Sequence, residues 1–377
     1  MIGYVALGGL ALSAAVYLVS ASALARMRRR SRCATPSGFE PPVSILKPLS
    51  GSDEGLEENL ESFFRLDYAA YELVFSFASR DDPAFAVARR VADAHPAIDT
   101  TFVFDAREPG GNAKVNRLMA AVRHARHRFI LFSDGNVRVR PDFLRRAVAP
   151  FADRRTGLVS HLFRAVGARS FASRVETLYL NGCLLPGTAA IASVLRIPCV
   201  VGKSILVSRR ALEAIGGIGS LRDHLAEDYL LGRAVRAAGF RVVLSTDVID
   251  TTEIDKGVGA VWARHRRWAL MRRRLAGPLY AGEILTGAFP WFVAAAVAIP
   301  TASARAAAAL LLAVRWGAEL ELAASDGHPV SLVDAALLPV RDLGAFAAFW
   351  AGLFGRVVRW RGRDLVVGDQ TRIEGTA

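Results

Sequence analysis

The middle of the chain alternates short apolar runs with helical patterns, and this alternation constrains the fold more than any other feature. Four apolar runs of strand length lie at 43–46, 71–78, 100–104 and 129–132; a turn or loop and a helical pattern follow each of the first three, and an acidic turn follows the fourth. Strands that alternate with helices are typical of parallel sheets, because each parallel connection must cross over one face of the sheet. Residues 41–277 are therefore predicted to form an α/β domain with a doubly wound, mostly parallel sheet.

The first 25 residues carry no charged side chain and are followed at once by five arginines within 26–32. An apolar run of about 20 residues is long enough to cross a bilayer. A cleaved signal peptide would carry its positive charge before the apolar run and not after it. We therefore predict an uncleaved transmembrane helix over 1–25 and a basic linker over 26–40. The positive-inside rule then predicts an external amino terminus and a cytoplasmic location for the domain that follows.

Apolar character returns over 278–358, in three runs of which the second and third are interrupted by charged residues. Charges inside a spanning helix are costly and usually face protein or water. Two or three membrane-embedded helices are predicted here, and partly re-entrant segments are the alternative. A tail over 359–377 follows.

Composition narrows the class of partner. The chain has 377 residues, which at about 150 residues per domain suggests two to three folding units. It carries 48 lysines and arginines against 35 aspartates and glutamates, a net charge of +13. Such a balance suits anionic partners such as phosphates and acidic lipid headgroups. Nucleic acid is not expected, because the basic segment adjoins an apolar run and no recognition motif accompanies it.

Two acidic clusters directly follow predicted strands, where ligands bind in open α/β sheets. The first is Asp81-Asp82, which also fits a helix cap because a proline follows it. The second is Asp134-Gly135-Asn136. Its two oxygen-bearing side chains suit a turn, and they equally suit a hard cation such as Mg²⁺ or Mn²⁺.

A third acidic cluster, Glu227-Asp228-Tyr229, opens a predicted helix. Carboxylates in a first helical turn can simply compensate the helix dipole. At the edge of a cleft, a carboxylate can instead act as a general base toward a hydroxyl group. Both interpretations are open from the residues alone.

The fourth cluster is basic, with Arg264, Arg267 and Trp268 at its centre and three more arginines at 272–274. It predicts an interfacial helix near 258–275 that lies on anionic lipid headgroups. The same arginines could clamp a diphosphate through charge-assisted hydrogen bonds. The two roles are compatible on different faces of one helix.

The order of these clusters, followed by apolar segments, resembles family-2-like glycosyltransferases of the GT-A fold. The resemblance is strongest to the ceramide glucosyltransferase family, family 21, and it covers roughly 41–280 plus the flanking apolar layout. Matching segments are VSILKPL (43–49), NLESFFRLDY (59–68), DDPA (81–84), GNAKVN (111–116) and VVGKS (200–204).

The resemblance implies roles for individual residues. It makes Asp228 the base that deprotonates the acceptor hydroxyl. It makes Asp134 a ligand of Mg²⁺ or Mn²⁺, with Asn136 standing where the family motif has a second aspartate. The residues that it implies in binding of the nucleotide-sugar are Asp82, Lys114, Asn116, Asp134, Arg264, Arg267 and Trp268.

The function that the resemblance implies is transfer of a sugar from a UDP-sugar to a hydroxyl of a membrane lipid, with inversion. UDP-glucose and ceramide are the favoured donor and acceptor, in sphingolipid metabolism. A hopanoid N-acetylglucosaminyltransferase and a diacylglycerol glycosyltransferase share these motifs and are the alternatives. A processive polysaccharide synthase and a non-catalytic adaptor fit less well. The arginine- and alanine-rich composition is typical of a GC-rich bacterial genome, which predicts an inner-membrane location.

Overall fold

The structure is a computed structural model that describes residues 1–33, 38–51, 55–325, 331–360 and 362–376. Parts of four predicted segments lie outside the described residues. They are 34–37 of the linker, 52–54 of the predicted α/β domain, 326–330 of the C-terminal apolar region, and 361 and 377 of the tail.

The helices and strands follow each other in a mixed order along the chain. Those up to residue 166 are α1 (Ile2–Cys33), β1 (Val43–Pro48), α2 (Leu56–Phe64), β2 (Tyr71–Phe77), α3 (Pro83–Ala94), β3 (Asp99–Phe104), α4 (Ala113–Val122), β4 (Phe129–Ser133), β5 (Val137–Arg138), α5 (Phe143–Val148) and β6 (Thr156–Val166). Those that follow are α6 (Phe171–Tyr179), α7 (Leu185–Ser193), β7 (Ser204–Ser208), α8 (Arg209–Ala214), α9 (Glu227–Ala237), β8 (Arg241–Thr252), α10 (Val258–Ala276), α11 (Ala288–Ala298), α12 (Ala302–Ser325), α13 (Leu332–Phe354), β9 (Val357–Trp360), β10 (Arg363–Val367) and β11 (Ile373–Thr376).

The chain divides into two compact units. We call the first the sheet unit; it combines Arg28–Gly167 with Arg196–Ile254. We call the second the helical unit; it combines Met1–Met27, Ala168–Leu195 and Asp255–Ala377. The residues predicted as one catalytic domain, 41–277, are thus distributed over both units.

The sheet unit is built on an eight-stranded sheet with the order β3-β2-β1-β4-β7-β6-β8-β5. The strands β3, β2, β1 and β4 are parallel, and β6 is parallel to β8. The prediction of a mostly parallel α/β sheet is therefore confirmed. The strand β1 is buried along its whole length, as expected for a parallel strand with both faces covered.

The strand β7 runs antiparallel to both of its neighbours, β4 and β6, which the strand-helix alternation did not predict. Two neighbouring strands must be parallel only when a crossover helix packed on the sheet connects them. The helices between β6 and β7 lie in the other unit, so β7 can run antiparallel to β6.

The helical unit begins with Met1–Met27, which contains most of α1. The helix itself continues through the arginines beyond residue 25 to Cys33. Its segment Ile2–Arg30 is long and apolar enough to cross a membrane. A second candidate passes the same test only as a bent pair of segments. One segment is Val258–Leu285, which joins α10 to the 3₁₀ turn after it, the other is α11, and the angle between them is 52°. No other helix in the described part of the chain passes it, so further C-terminal spans stay a prediction.

Four of the charged residues that interrupt the C-terminal apolar runs, Arg315, Glu319, Arg341 and Asp342, are buried and form ion pairs with one another. Arg315 Nη1 donates to Glu319 Oε2 at 2.6 Å, and Arg341 also pairs with Glu319. Asp342 Oδ2 accepts from the backbone amides that open α11, at 3.0 and 2.9 Å. Because the charges are balanced and satisfied by protein groups, α11, α12 and α13 pack together despite their polar residues. The strands β9, β10 and β11 add a small antiparallel sheet to this unit.

Candidate functional site

The pairing of β4 with β7 creates the first part of a polar site in the sheet unit. The antiparallel register places Ser133 opposite Ser204, and the next backbone bond joins the Asp134 amide to the Lys203 carbonyl at 3.1 Å. The Lys203 ammonium consequently reaches the same region as the Asp134 carboxylate, with Nζ 3.4 Å from Oδ2. It also donates to Asn136 Oδ1 at 3.0 Å.

Lys114, in the first turn of α4, links this region to the start of α9. Its Nζ lies 2.8 Å from Asp134 Oδ1 and 3.2 Å from Glu227 Oε1, and it donates to the Gly202 carbonyl at 2.8 Å. The beginning of α4 is fixed by Asn112, whose Oδ1 accepts from the Lys114 amide at 3.0 Å. One ammonium group therefore joins the second and the third acidic motifs.

Asp228 lies beside this lysine in the first turn of α9. A Cβ on Gly202 would come within 2.7 Å of Asp228 Oδ2, so only a glycine permits the observed approach of β7's leading loop to the carboxylate. Asp228 Oδ1 accepts from the Tyr229 amide at 2.8 Å. The structure thus brings together Lys114, Asp134, Asn136 and Asp228 of the predicted site residues.

The electrostatics of the cluster separate its two aspartates. Burial and the neighbouring Glu227 raise the pKa of Asp228 to about 6. Burial would also raise the pKa of Asp134, but the charges of Lys114 and Lys203 hold it below its usual value. Burial acts against the charged form of Lys114, yet Asp134 and Glu227 raise its pKa. Asp134 is therefore a fixed anion, whereas Asp228 can take up a proton near neutral pH, as a general base must.

A second lysine, Lys47, supports the site from inside the sheet. It is fully buried on β1, and its Nζ donates to Ser133 Oγ at 3.2 Å and to the Asp134 carbonyl at 2.9 Å. Burial lowers the pKa of Lys47 to about 7. Its contacts fix the strand end from which the Asp134 side chain projects.

The oxygen atoms of Asp134 and Asn136 suit a divalent cation that is shared with a ligand. Both contact the same Lys203 ammonium, so the two oxygens already converge on one cationic group. In the described residues, no group of three or more His, Cys, Asp or Glu side chains is placed to hold a metal ion. Mg²⁺ commonly takes one or two protein ligands and completes its shell with substrate phosphates and water. The donor set fits that mode of binding.

Asp82 and Asn116 have clear structural contacts. Asp82 Oδ1 accepts from the Gly51 amide at 2.9 Å and from the Ala84 amide at 3.0 Å, so this side chain caps α3. The Asn116 amide group makes two hydrogen bonds with the backbone of Gly110. Both residues hold the loops that follow β2 and β3, and binding of a nucleotide by them stays a prediction.

The basic motif lies on α10, in the helical unit. Arg264 Nη1 donates to the buried Glu176 at 2.9 Å, and its guanidinium lies 5.7 Å from the ring centre of Trp268. Arg267 and Trp268 lie one turn further along the same helix. The motif is thus helical, as predicted, and Arg264 is held in place by an ion pair with α6.

Lys203, Glu227 and Gly202 complete the cluster around Lys114, and the sequence motifs alone predict no role for them. A signal was present for two of them, because Gly202 and Lys203 lie in the segment VVGKS that carries the resemblance. Glu227 was singled out only as the neighbour of Asp228. Their contacts depend on the pairing of β4 with β7, which local patterns do not reveal.

The chain is similar in sequence to several ceramide glucosyltransferases. Curated relatives include ceramide glucosyltransferase 1 and ceramide glucosyltransferase 3 of Caenorhabditis elegans. Each is 31% identical to this chain, over 63% and 66% of it. The chain spans about half the length of these relatives, 51% and 54%.

Among solved structures, a mannosyltransferase from Pyrobaculum calidifontis, in complex with GDP-Man and Mn²⁺, matches with a TM-score of 0.55 and 21% identity. The match covers 94% of this chain and 99% of that one, which confirms the predicted GT-A fold. The sequence profile described as glycosyl transferase family 21 matches residues 7–373, almost the whole chain. A match of this extent, together with the acidic motifs gathered around Lys114, means that the chain belongs to glycosyl transferase family 21.

Proposed function

We propose that this protein is a membrane-bound inverting glycosyltransferase that moves glucose from UDP-glucose to the primary hydroxyl of ceramide. The observation that carries the proposal is the position of the Asp228 carboxylate beside the Lys114–Asp134 ion pair. The family and its ceramide glucosyltransferase members support the choice of donor and acceptor.

Transfer of the sugar needs a base that deprotonates the acceptor hydroxyl on one side of the sugar ring, and positive charge that stabilises the leaving diphosphate on the other side. Asp228 accepts the proton of the acceptor hydroxyl, whose oxygen then attacks the anomeric carbon. The bond to the diphosphate breaks with its electron pair, and UDP leaves. In-line attack inverts the anomeric centre, so an α-linked donor gives a β-linked glycolipid.

The leaving diphosphate needs its developing charge compensated. Lys114 and Lys203 supply fixed positive charge at Asp134, and such preorganised charge stabilises the transition state. A divalent metal held by Asp134 and Asn136 would supply further neutralisation of the diphosphate. We also assign the basic motif of α10, Arg264 and Arg267, to binding of anionic groups, and Asp82, Lys114 and Asn116 to binding of the nucleotide-sugar.

The apolar helix α1 supports a membrane location for the protein. We propose that it anchors the chain with its arginines on the cytoplasmic side, so that the catalytic residues face the cytoplasm. The proposed location is the bacterial inner membrane.

The test is a transfer assay with the purified chain in nanodiscs and Mg²⁺. UDP-glucose, UDP-N-acetylglucosamine, UDP-galactose and UDP-glucuronic acid are each offered with ceramide, diacylglycerol or a hopanoid polyol, and glycolipid is measured by mass spectrometry. Glucosylceramide as the main product supports the proposal. Product on the hopanoid or on diacylglycerol alone retains the mechanism and replaces the acceptor. The absence of product with every pair, despite binding of UDP, contradicts the proposal.

A further inference from the structure

Three helices of the helical unit, α6, α10 and α13, enclose an apolar cavity of about 160 Å³. The cavity is not sealed from the surroundings. Phe171, Val258 and Trp262 contribute to its lining and are 55%, 65% and 38% exposed. A molecule can therefore enter between these side chains.

The walls of the cavity are almost wholly apolar. Six of the lining residues are Ala172, Val175, Val261, Val340, Gly344 and Ala345.

The polar residues of the lining make contacts within the protein. Arg341 is 1% exposed and pairs with Glu319 and Asp342. The Tyr179 hydroxyl accepts from Arg272 at 3.3 Å. The His265 ring packs edge to face on Tyr179, with ring centres 4.6 Å apart. The lining offers few polar atoms to a ligand, so a sugar or a nucleotide would lose most of its hydrogen bonds to water here without replacement, whereas a hydrocarbon chain would lose none.

The surroundings of the cavity indicate where such a chain would come from. On α13, exposed apolar side chains continue past the cavity with Leu343 and Trp350, 49% and 40% exposed. Exposed apolar side chains beside an apolar cavity are typical of surfaces that meet lipid. The cavity and the basic motif also share α10, because Val261 and His265 each precede a motif residue, Arg264 or Trp268, by one helical turn.

We infer that this cavity receives an alkyl chain of the acceptor lipid. The inference rests on the proposed function, since it identifies the chain as part of a ceramide. The apolar walls hold the hydrocarbon, and the polar end of the lipid lies toward the basic motif of α10. The cavity thereby anchors the acceptor independently of the donor.

The experiment is photo-crosslinking of the full chain in nanodiscs, without any UDP-sugar. The probe is a ceramide with a diazirine in its acyl chain, and labelled peptides are mapped by mass spectrometry. We expect label on α6, α10 and α13. Unlabelled ceramide should suppress this labelling, and an equal amount of phosphatidylcholine should not.

The variant Gly344→Leu fills the cavity, because a Cβ at Gly344 has no neighbour within 4 Å. Labelling of the cavity helices should fall about tenfold or more. Gly317→Leu is the matched control, since Gly317 is a similarly open glycine on α12 that does not line the cavity. Ala345→Leu repeats the test at the next position of α13, in case Gly344→Leu does not fold.

Label confined to other segments, undiminished label in the filled variants, or equal competition by phosphatidylcholine would overturn the inference. Because no transfer takes place in this experiment, its result is separate from that of the transfer assay. Ceramide-specific label in the cavity without glycolipid synthesis supports the inference and leaves only the proposed reaction contradicted. Glycolipid synthesis without label in the cavity supports the proposed reaction and contradicts the inference about the cavity.

Discussion

Lys114 Nζ lies 2.8 Å from Asp134 Oδ1, and this ion pair is the centre of the polar site. The ammonium also contacts Glu227, so it neutralises two motifs that are far apart in the sequence. The pair keeps a positive group at the place where we propose that the diphosphate binds.

Lys114→Met should weaken use of the donor. A hydrogen bond to a charged group contributes about 1.5–3 kcal/mol, which corresponds to roughly a 10- to 100-fold lower kcat/KM for the UDP-sugar. Steady-state kinetics with varied donor would measure the change. Lys256→Met, which removes a lysine of the helical unit, should leave kcat/KM near the wild-type value. A larger effect of the control than of Lys114→Met would contradict the assignment.

Asp228→Asn should abolish transfer and retain binding of UDP-sugar. The amide cannot accept the proton of the acceptor hydroxyl, and loss of a general base costs roughly 10²- to 10⁴-fold in kcat. Turnover and donor affinity are measured separately, by product formation and by calorimetry. Asp93→Asn, on the exposed surface of α3, is the control. Near-normal turnover of Asp228→Asn would refute its role as the base.

The pH profile of kcat should show an acidic limb near the pKa of Asp228, about 6. The carboxylate acts as a base only when ionised, so activity rises with pH through this value and is level above it. Glu227→Gln removes a negative neighbour that raises the pKa of Asp228, and it should move the limb to lower pH. A profile whose limb stays in place in that variant would show that another group titrates.

Gly202→Ala should lower kcat although residue 202 carries no catalytic group. The new Cβ would lie within 2.7 Å of Asp228 Oδ2 and displace the carboxylate. A misplacement of about 1 Å can cost about 10²-fold in rate. Gly187→Ala is the control, because a Cβ at Gly187 meets nothing within 4 Å. Equal activity of the two variants would contradict this explanation.

Chelation should stop the reaction. Asp134 and Asn136 together supply few ligands, so the proposed metal depends on the diphosphate for the rest of its shell. We expect no product in excess EDTA, recovery with Mg²⁺ or Mn²⁺, and a higher metal requirement for Asp134→Asn. Binding of Mn²⁺, followed by electron paramagnetic resonance, should strengthen when UDP is present. Full activity in excess EDTA would exclude the metal role.

Several features of the fold could be predicted from local patterns. The alternation of apolar runs and helical segments predicted the parallel strands β1 to β4. The signal is strongest for β1, β2 and β4, because burial on both faces leaves a direct trace in the sequence. The apolar run before the arginines predicted the helix α1, although the helix extends beyond residue 25. Helical propensity does not end at the first arginine, and arginine is a good helix former.

The sequence by itself determined the α/β class, the family and the acidic motifs with Asp134 and Asp228. Only the tertiary structure decided which residues surround them. The antiparallel pairing of β7 with β4 brings Lys203 to Asp134, and the start of α9 brings Glu227 to Lys114. These contacts join residues that are distant along the chain, and no local periodicity records them. The physical reason is that propensity acts on neighbouring residues, whereas the raised pKa of Asp228 depends first on burial, which only folding produces, and the opposing charge of Lys114 is also brought close only by folding.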